Sequence, residues 1–271
     1  MHVYILDIAR YHSGMNDEIP LGRRETIAAR LANGDAVVAA ALAVEFGVSE
    51  DAIRRDLRAL AAEGRCRRVY GGALPIPTDD VPIAARIDKA RDRKEALARR
   101  AVSLVRRGEL LFLDCGSTNF ALVDYLPEDF ELTVATNSID IAAAVLRRAD
   151  LKLILIGGEV DTAIGGAVDA SAVERVSALN FDRSFVGACS VSVEHGVSVF
   201  SLADASFKRA VMASSRLSMA LVTSEKLKAR APYRVYPLSA FATLVLESDV
   251  STSEQSRIAE AGPSVLTAAK R

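Results

Sequence analysis

Tryptophan is missing from this 271-residue chain, and cysteine and histidine occur only three times each. Without tryptophan, intrinsic indole fluorescence cannot report on ligand binding. Cys66, Cys115 and Cys189 lie too far apart for a disulfide framework or a zinc knuckle, which fits a reducing compartment. His2, His12 and His195 never fall in metal-ligand spacing, so neither a metal site nor a cofactor is expected. No apolar run approaches the ~20 residues of a membrane span. The opening stretch, MHVYILDIARYHSG, lacks the basic start and apolar core of a secretory signal. No membrane partner is expected, and a cytoplasmic location is. Net charge is also scarce: a formal −1 with pI near 6.3 does not announce a nucleic-acid partner.

That near-neutral total hides a patch. Between Arg54 and Arg68, six arginines face only Asp56 and Glu63, a local charge of +4. The patch opens in Val48–Leu57, VSEDAIRRDL. Ser49 is a helix N-cap, and Glu50 and Asp51 bring negative charge to a first turn where the helix dipole favours it. Ile53, Leu57 and Leu60 recur at i, i+4 and i+7 as one apolar face. Arg54, Arg55 and Arg58 occupy the other side, and no acid four residues on from Arg54 or Arg55 neutralises them. A short helix docked by one face and carrying guanidinium groups on the other suits the major groove of DNA.

Residues 1–22 break the pattern and read as an N-terminal tail without assigned function. A helix is expected from Arg23 to Asn33-Gly34, with Ile27, Ala28 and Leu31 inward, and a second from about Ala36 to Phe46. Gly47 makes the sharp turn into the arginine-bearing third helix, completing a helix-turn-helix. Next, RCRRVYGGALP places Arg67, Arg68 and Tyr70 on a short extended stretch before the Gly71-Gly72 turn, a basic β-hairpin wing for phosphates.

RRETIAARLANG, LAVEFGVSEDAIRRDLRALAAEG and RRVYGGA together resemble the winged helix-turn-helix of DeoR-type bacterial repressors, across residues 23–75. The resemblance implies double-stranded operator DNA as partner and contacts from Ser49, Ala52, Arg54, Arg55, Arg58, Arg67, Arg68 and Tyr70. Ala52 departs from the threonine usual there, so one hydroxyl contact is missing and an operator sequence does not carry over.

Pro75, Pro77 and Pro82, with Thr78, Asp79 and Asp80, mark a linker across residues 76–91. A helix is expected over Asp92–Arg107. Apolar strands then alternate with amphipathic helices: Leu110–Asp114, Leu132–Thr136, Leu151–Ile156, Arg183–Ala188 and Met219–Thr223, with helices at Ile139–Arg148 and Asp204–Ser215. Residues 92–268 therefore read as an α/β domain with a mainly parallel sheet covered on both faces. Ligands of such sheets sit beyond the strand carboxyl ends. Gly116, Ser117, Thr118 and Asn119 follow the first strand and its Asp114; Thr136, Asn137 and Ser138 end the second; Gly157 and Gly158 end the third. Backbone access at glycine beside capping hydroxyls and amides suits an anion, most simply a phosphate. Lys208 or Lys226 would add the cation.

KEALARRAVSLVRRGELLFLDCGSTNFALVDYL, LTVATNS, ILIGGEV and Lys208-Arg209 are similar to the sensor domain of the same family. The resemblance implies a fold like ribose-phosphate isomerase, and a phosphorylated sugar that loosens a homo-oligomeric repressor from DNA. The competing reading is an isomerase-like enzyme fused to a DNA-binding domain. Isomerisation of an aldose and a ketose needs a carboxylate base. Where the isomerases carry acids after a glycine-alanine pair, Gly187-Ala188 leads here to Cys189 and Ser190. Glu194 and His195, being adjacent, read as a surface turn. The expectation is a regulator without catalytic residues.

Overall fold

The structure, a computed structural model, describes residues 18–32, 37–63, 65–74 and 83–269. The chain divides into two compact units, residues 1–76 and 77–271. Within the expected tail, residues 1–17 lie outside the described residues, as do Asn33-Gly34 and the proline-marked stretch 75–82.

In the first unit, α1 (Glu18–Ala32) starts inside the stretch assigned to the tail. The second helix starts three residues later than expected. Val37–Val38 form a strand, β1, and α2 runs over Ala39–Phe46. Two consecutive β-branched residues favour extended backbone, and a partner strand lies within reach. Gly47 ends α2 in the left-handed region at φ +63, and α3 (Glu50–Ala62) follows. The wing is β2 (Arg67–Val69) and β3 (Gly72–Leu74), antiparallel, with β1 on the far side of β3. Ile27, Leu31, Leu42, Ile53, Leu57 and Leu60 form one buried core under the three helices.

The second unit opens with α4 (Ile83–Ile87) and α5 (Arg91–Ala101), the latter passing into a 3-10 turn at Val102–Leu104 instead of running on to Arg107. Then come β4 (Leu110–Leu113), α6 (Ser117–Phe120), β5 (Thr133–Thr136), α7 (Ile139–Leu146) and β6 (Lys152–Leu155). A hairpin of β7 (Val160–Asp161) and β8 (Gly166–Ala167) leads to α8 (Ala170–Ser177) and β9 (Phe181–Phe185). The final third holds β10 (Ser190–Ser192), β11 (Gly196–Val199), α9 (Leu202–Ala213) and β12 (Ser215–Val222). It closes with α10 (Ser224–Lys228), β13 (Tyr233–Tyr236), β14 (Thr243–Leu246), α11 (Thr252–Glu260) and β15 (Ser264–Thr267).

Seven strands form one parallel sheet in the order β15-β14-β12-β9-β4-β5-β6. Leu111 and Leu113 enter one core with Leu97, Val134, Ile141 and Phe185, whereas Phe112 enters the opposite one with Phe181, Phe207 and Val211. Burial on both faces is why LLFL reads as an unbroken apolar run. From the centre, β4 winds outward through β5 to β6 while β9 winds the other way through β12 to β14. The strand order therefore reverses between β4 and β9, the position at which ligands of such sheets bind, beyond the strand carboxyl ends.

Candidate functional site

Two sites emerge, one in each unit. In the first, the Ser49 hydroxyl accepts the Ala52 N–H at 3.3 Å and caps α3. Ile53, Leu57 and Leu60 are buried, and Arg54, Arg55 and Arg58 are exposed. Asp56 turns inward and is buried, with its carboxylate 2.7 Å from Arg23 and 3.8 Å from Arg24. It ties α3 to α1 and does not offset the outward arginines.

The expectation that Arg54 lacks a neutralising acid is corrected. Arg54 pairs backwards, with Glu50 at 2.7 Å and Asp51 at 3.4 Å. An acid one turn N-terminal to a cation is the favoured order on a helix, and looking only towards the C-terminus misses it. Arg65 pairs with Glu25 at 2.8 Å. Arg58 donates to the Arg54 carbonyl at 3.3 Å and shows no ion pair among the described residues. Arg55 shows no ion pair among the described residues. On the wing, Arg67 and Arg68 lie in β2, and Tyr70 stands fully exposed at the tip beside Gly71. Ala52 is half-buried in the first turn of α3.

The second site is the crevice between β4 and β9. The Asp114 N–H donates to the Phe185 carbonyl at 3.1 Å, so the two strands are still joined at its mouth. Asp114 is wholly buried; its carboxylate accepts the Gly187 N–H at 2.7 Å and lies 2.9 Å from the Lys208 ammonium. Lys208 also holds Asp204, one turn earlier on α9. Burial pulls the lysine down, but Asp114 and Asp204 together keep its pKa well above the ordinary value. Lys208, expected to serve a phosphate, is held here by two carboxylates, Asp114 and Asp204. Asp114, Cys115 and Asp204 bring ligand atoms within 4.8 Å of one another, but Lys208 already supplies their cation. Burial, followed by the Asp114 charge, pushes the Cys115 thiol well above its usual pKa, unlike a reactive thiolate.

Four expected ligand groups are committed to the crevice wall. Asn119 donates to the carbonyls of Asp114 and Phe185 at 3.1 and 2.8 Å. Asn137 accepts the Cys115 N–H and donates to the Ala167 carbonyl, both at 3.1 Å. Thr136 donates to the Leu113 carbonyl at 2.6 Å, and Ser138 caps α7. These side chains are buried and preorganise the loops. Thr118 is buried too, so Gly116 and Ser117, both half-buried, are the accessible part of the loop. Gly157 and Gly158 stand apart, because they follow β6 at the sheet edge; Gly158 packs on Asp169 and Ser171. Instead, Gly166 of the β7–β8 hairpin reaches the crevice, lying against Cys115 and Asn137.

Lys226 follows β12 and lies near Lys94, a buried lysine of α5 that the sequence reading missed. Burial first, then the charges of Lys226, Arg86 and Lys89 against that of Glu225, push Lys94 down to about 8. Its ammonium donates to the Arg86 carbonyl. Lys94 sits in a charged helix face that looks solvated in sequence. Asp204, by contrast, was legible as the i,i+4 partner of Lys208. Glu194 and His195 are exposed on the turn between β10 and β11.

A model of the DeoR-like helix-turn-helix domain matches residues 23–78, and one of the DeoR C terminal sensor domain matches residues 89–248. The chain is 30% identical over 186 residues to the glycerol-3-phosphate regulon repressor of Escherichia coli, covering 68% of this chain and 74% of that one. It is 30% identical to an uncharacterized HTH-type transcriptional regulator, YgbI, of the same organism, over 92% of this chain and 98% of that one. Ribose 5-phosphate isomerase A of Neisseria gonorrhoeae shows a TM-score of 0.36 at 16% identity, covering 50% of this chain and 52% of that one, too faint a likeness to bear on chemistry.

Proposed function

The chain belongs to the DeoR family of transcriptional regulators, and from that premise we propose that it represses a carbohydrate or polyol operon and leaves its operator when a phosphorylated sugar or polyol binds the second unit. In this reading Arg55, Arg58 and the Arg67–Tyr70 wing meet base edges and phosphates, with Arg54 joining them once it parts from Glu50. Ser49 and Ala52 at the start of α3 approach the backbone. The observation that carries the effector reading is the β4–β9 strand reversal, with the paired charges of Asp114, Lys208 and Asp204 beyond it and the half-buried Gly116–Ser117 loop beside them.

In the Asp114–Lys208–Asp204 triad the ammonium is already paired with carboxylates, so the triad suits hydrogen bonds from sugar hydroxyls better than a phosphate. The effector therefore turns its hydroxyls to the triad and its phosphate to Gly116–Ser117 and the Lys226 side. A role in isomerisation is disfavoured by the same pairing. Both carboxylates are held by Lys208, and neither is free to act as a base. The protein acts in the cytoplasm as a homo-oligomer on a symmetric operator. The relative named for a glycerol-3-phosphate regulon supports a ligand of this class.

The test is fluorescence anisotropy of the full chain on labelled DNA from upstream of its own gene, titrated with sugar and polyol phosphates including glycerol 3-phosphate. One compound should weaken binding by roughly 5–150-fold, the usual range of allosteric coupling. Release by none of them, or equal release by the dephosphorylated compounds, overturns the effector reading.

A further inference from the structure

The helix α4 is only five residues long, yet it is fastened at both Ile83 and Arg86. Ile83 is buried against the backbone of Gly165, where an added Cβ would lie 2.4 Å from the isoleucine methyl. The Arg86 guanidinium donates to the Ala163 carbonyl at 3.0 Å, and the Arg86 carbonyl accepts from the Lys94 ammonium. Two of these ties reach the β7–β8 turn, whose Gly166 lies on Cys115 and Asn137. α4 also packs directly on α6, the helix of the Gly116–Asn119 loop. In sequence, α4 is the first described element after residues 75–82, which join it to the DNA-binding unit.

We propose that α4 is an effector-released strap: it packs on α6 beside Gly116 and Ser117, and a ligand entering there unfastens it. The inference rests on the crevice being the effector site. Its physical basis is competition. Lys94 is buried on α5, which packs on α6, and its ammonium donates to the neutral Arg86 carbonyl; an anion beside α6 is a stronger acceptor. Drawing the ammonium away removes one of the ties on Arg86, and the bulk of the ligand presses on α6, against which α4 rests. A five-residue helix belongs to the low-stability end of a fold, where a modest bias shifts its population.

Hydrogen–deuterium exchange on the full chain tests this, with glycerol 3-phosphate and a panel of sugar phosphates as probes and inorganic phosphate as a further arm. A probe that occupies the crevice should slow exchange at residues 115–118 and, at the same saturation, speed it at residues 83–87 by roughly tenfold. Arg86→Ala should speed exchange at residues 83–87 without any probe while leaving residues 110–113 of the sheet unchanged. Protection at 115–118 with no acceleration at 83–87 overturns the strap and leaves the crevice reading standing. Unchanged exchange at 83–87 in Arg86→Ala also overturns it. No protection at 115–118 with any probe defeats the crevice reading itself, and the strap with it.

Discussion

Single arginines on α3 are not equivalent, although the sequence presents them as a block. Arg54 leans on Glu50 and Asp51, whereas Arg55 shows no ion pair among the described residues. A guanidinium must leave its acids before it can grip a base, so part of any gain from Arg54 is spent on that exchange. Replacing Arg55 or Arg58 with alanine should weaken operator binding by ~1–3 kcal/mol where the contact is a bidentate base pairing. Arg54→Ala should cost less than Arg55→Ala, and Arg68→Ala should mainly reduce the log–log salt slope by ~0.9. Anisotropy titrations at several salt concentrations separate these outcomes. Equal losses at Arg54 and Arg55 would show that the Glu50 pairing does not persist in solution. At the crevice, the same scale explains why the buried triad survives. Lys208 lies between two carboxylates, and Asp114 has a further backbone donor in Gly187, so no charge is left bare.

Among elements, the wing is braced more heavily than a free hairpin. β1 donates a third strand, and α2 starts only where β1 ends. Gly72 is where this arrangement is tightest, because a Cβ there would lie 2.0 Å from the Val37 carbonyl oxygen, a backbone atom that cannot swing aside. Gly72→Ala should therefore part β3 from β1. The expected cost is ~1–3 kcal/mol, typical of overpacking, read as an earlier unfolding transition of the first unit and weaker DNA binding. An unchanged melting curve would mean that the Val37–Gly72 approach relaxes freely. Much of this unit was legible in sequence: the Ser49 cap, the Ile53/Leu57/Leu60 stripe and the turn at Gly47 depend on neighbours within a few residues. The strand at Val37-Val38 was not, since its partners, Ala73 and Gly72, lie far along the chain.

At the scale of the whole chain, one recognition helix reads only a few base pairs, and symmetric operators need paired half-sites. The protein should therefore be an oligomer in solution and on DNA. The sensor unit, the larger of the two, is the expected interface. Light scattering of the full chain, free and on operator, measures this directly; a monomer in both states would contradict it. Among the described residues no helix is long and apolar enough to cross a membrane.

The alternation of apolar strands and helices after residue 92 was enough to place a parallel sheet, because burial on both faces writes itself into runs such as LLFL. The strands β14 and β15 and the small sheet β10-β11-β13 escaped notice, being short and set among loops. Sequence alone also placed Asp114, Gly116 and Ser117 at a strand end, and Arg55 and Arg58 on the outward face of a capped helix. Periodicity and capping are short-range effects, and each can be read from a window of about one or two turns. Only the tertiary structure decided which polar groups are spoken for: that Lys208 belongs to Asp114 and Asp204, that Asn119 and Asn137 bind backbone, and that Lys94 sits under α4. Hydrogen bonds and ion pairs form between whatever atoms the fold brings within about 3 Å, and that distance is unrelated to separation along the chain.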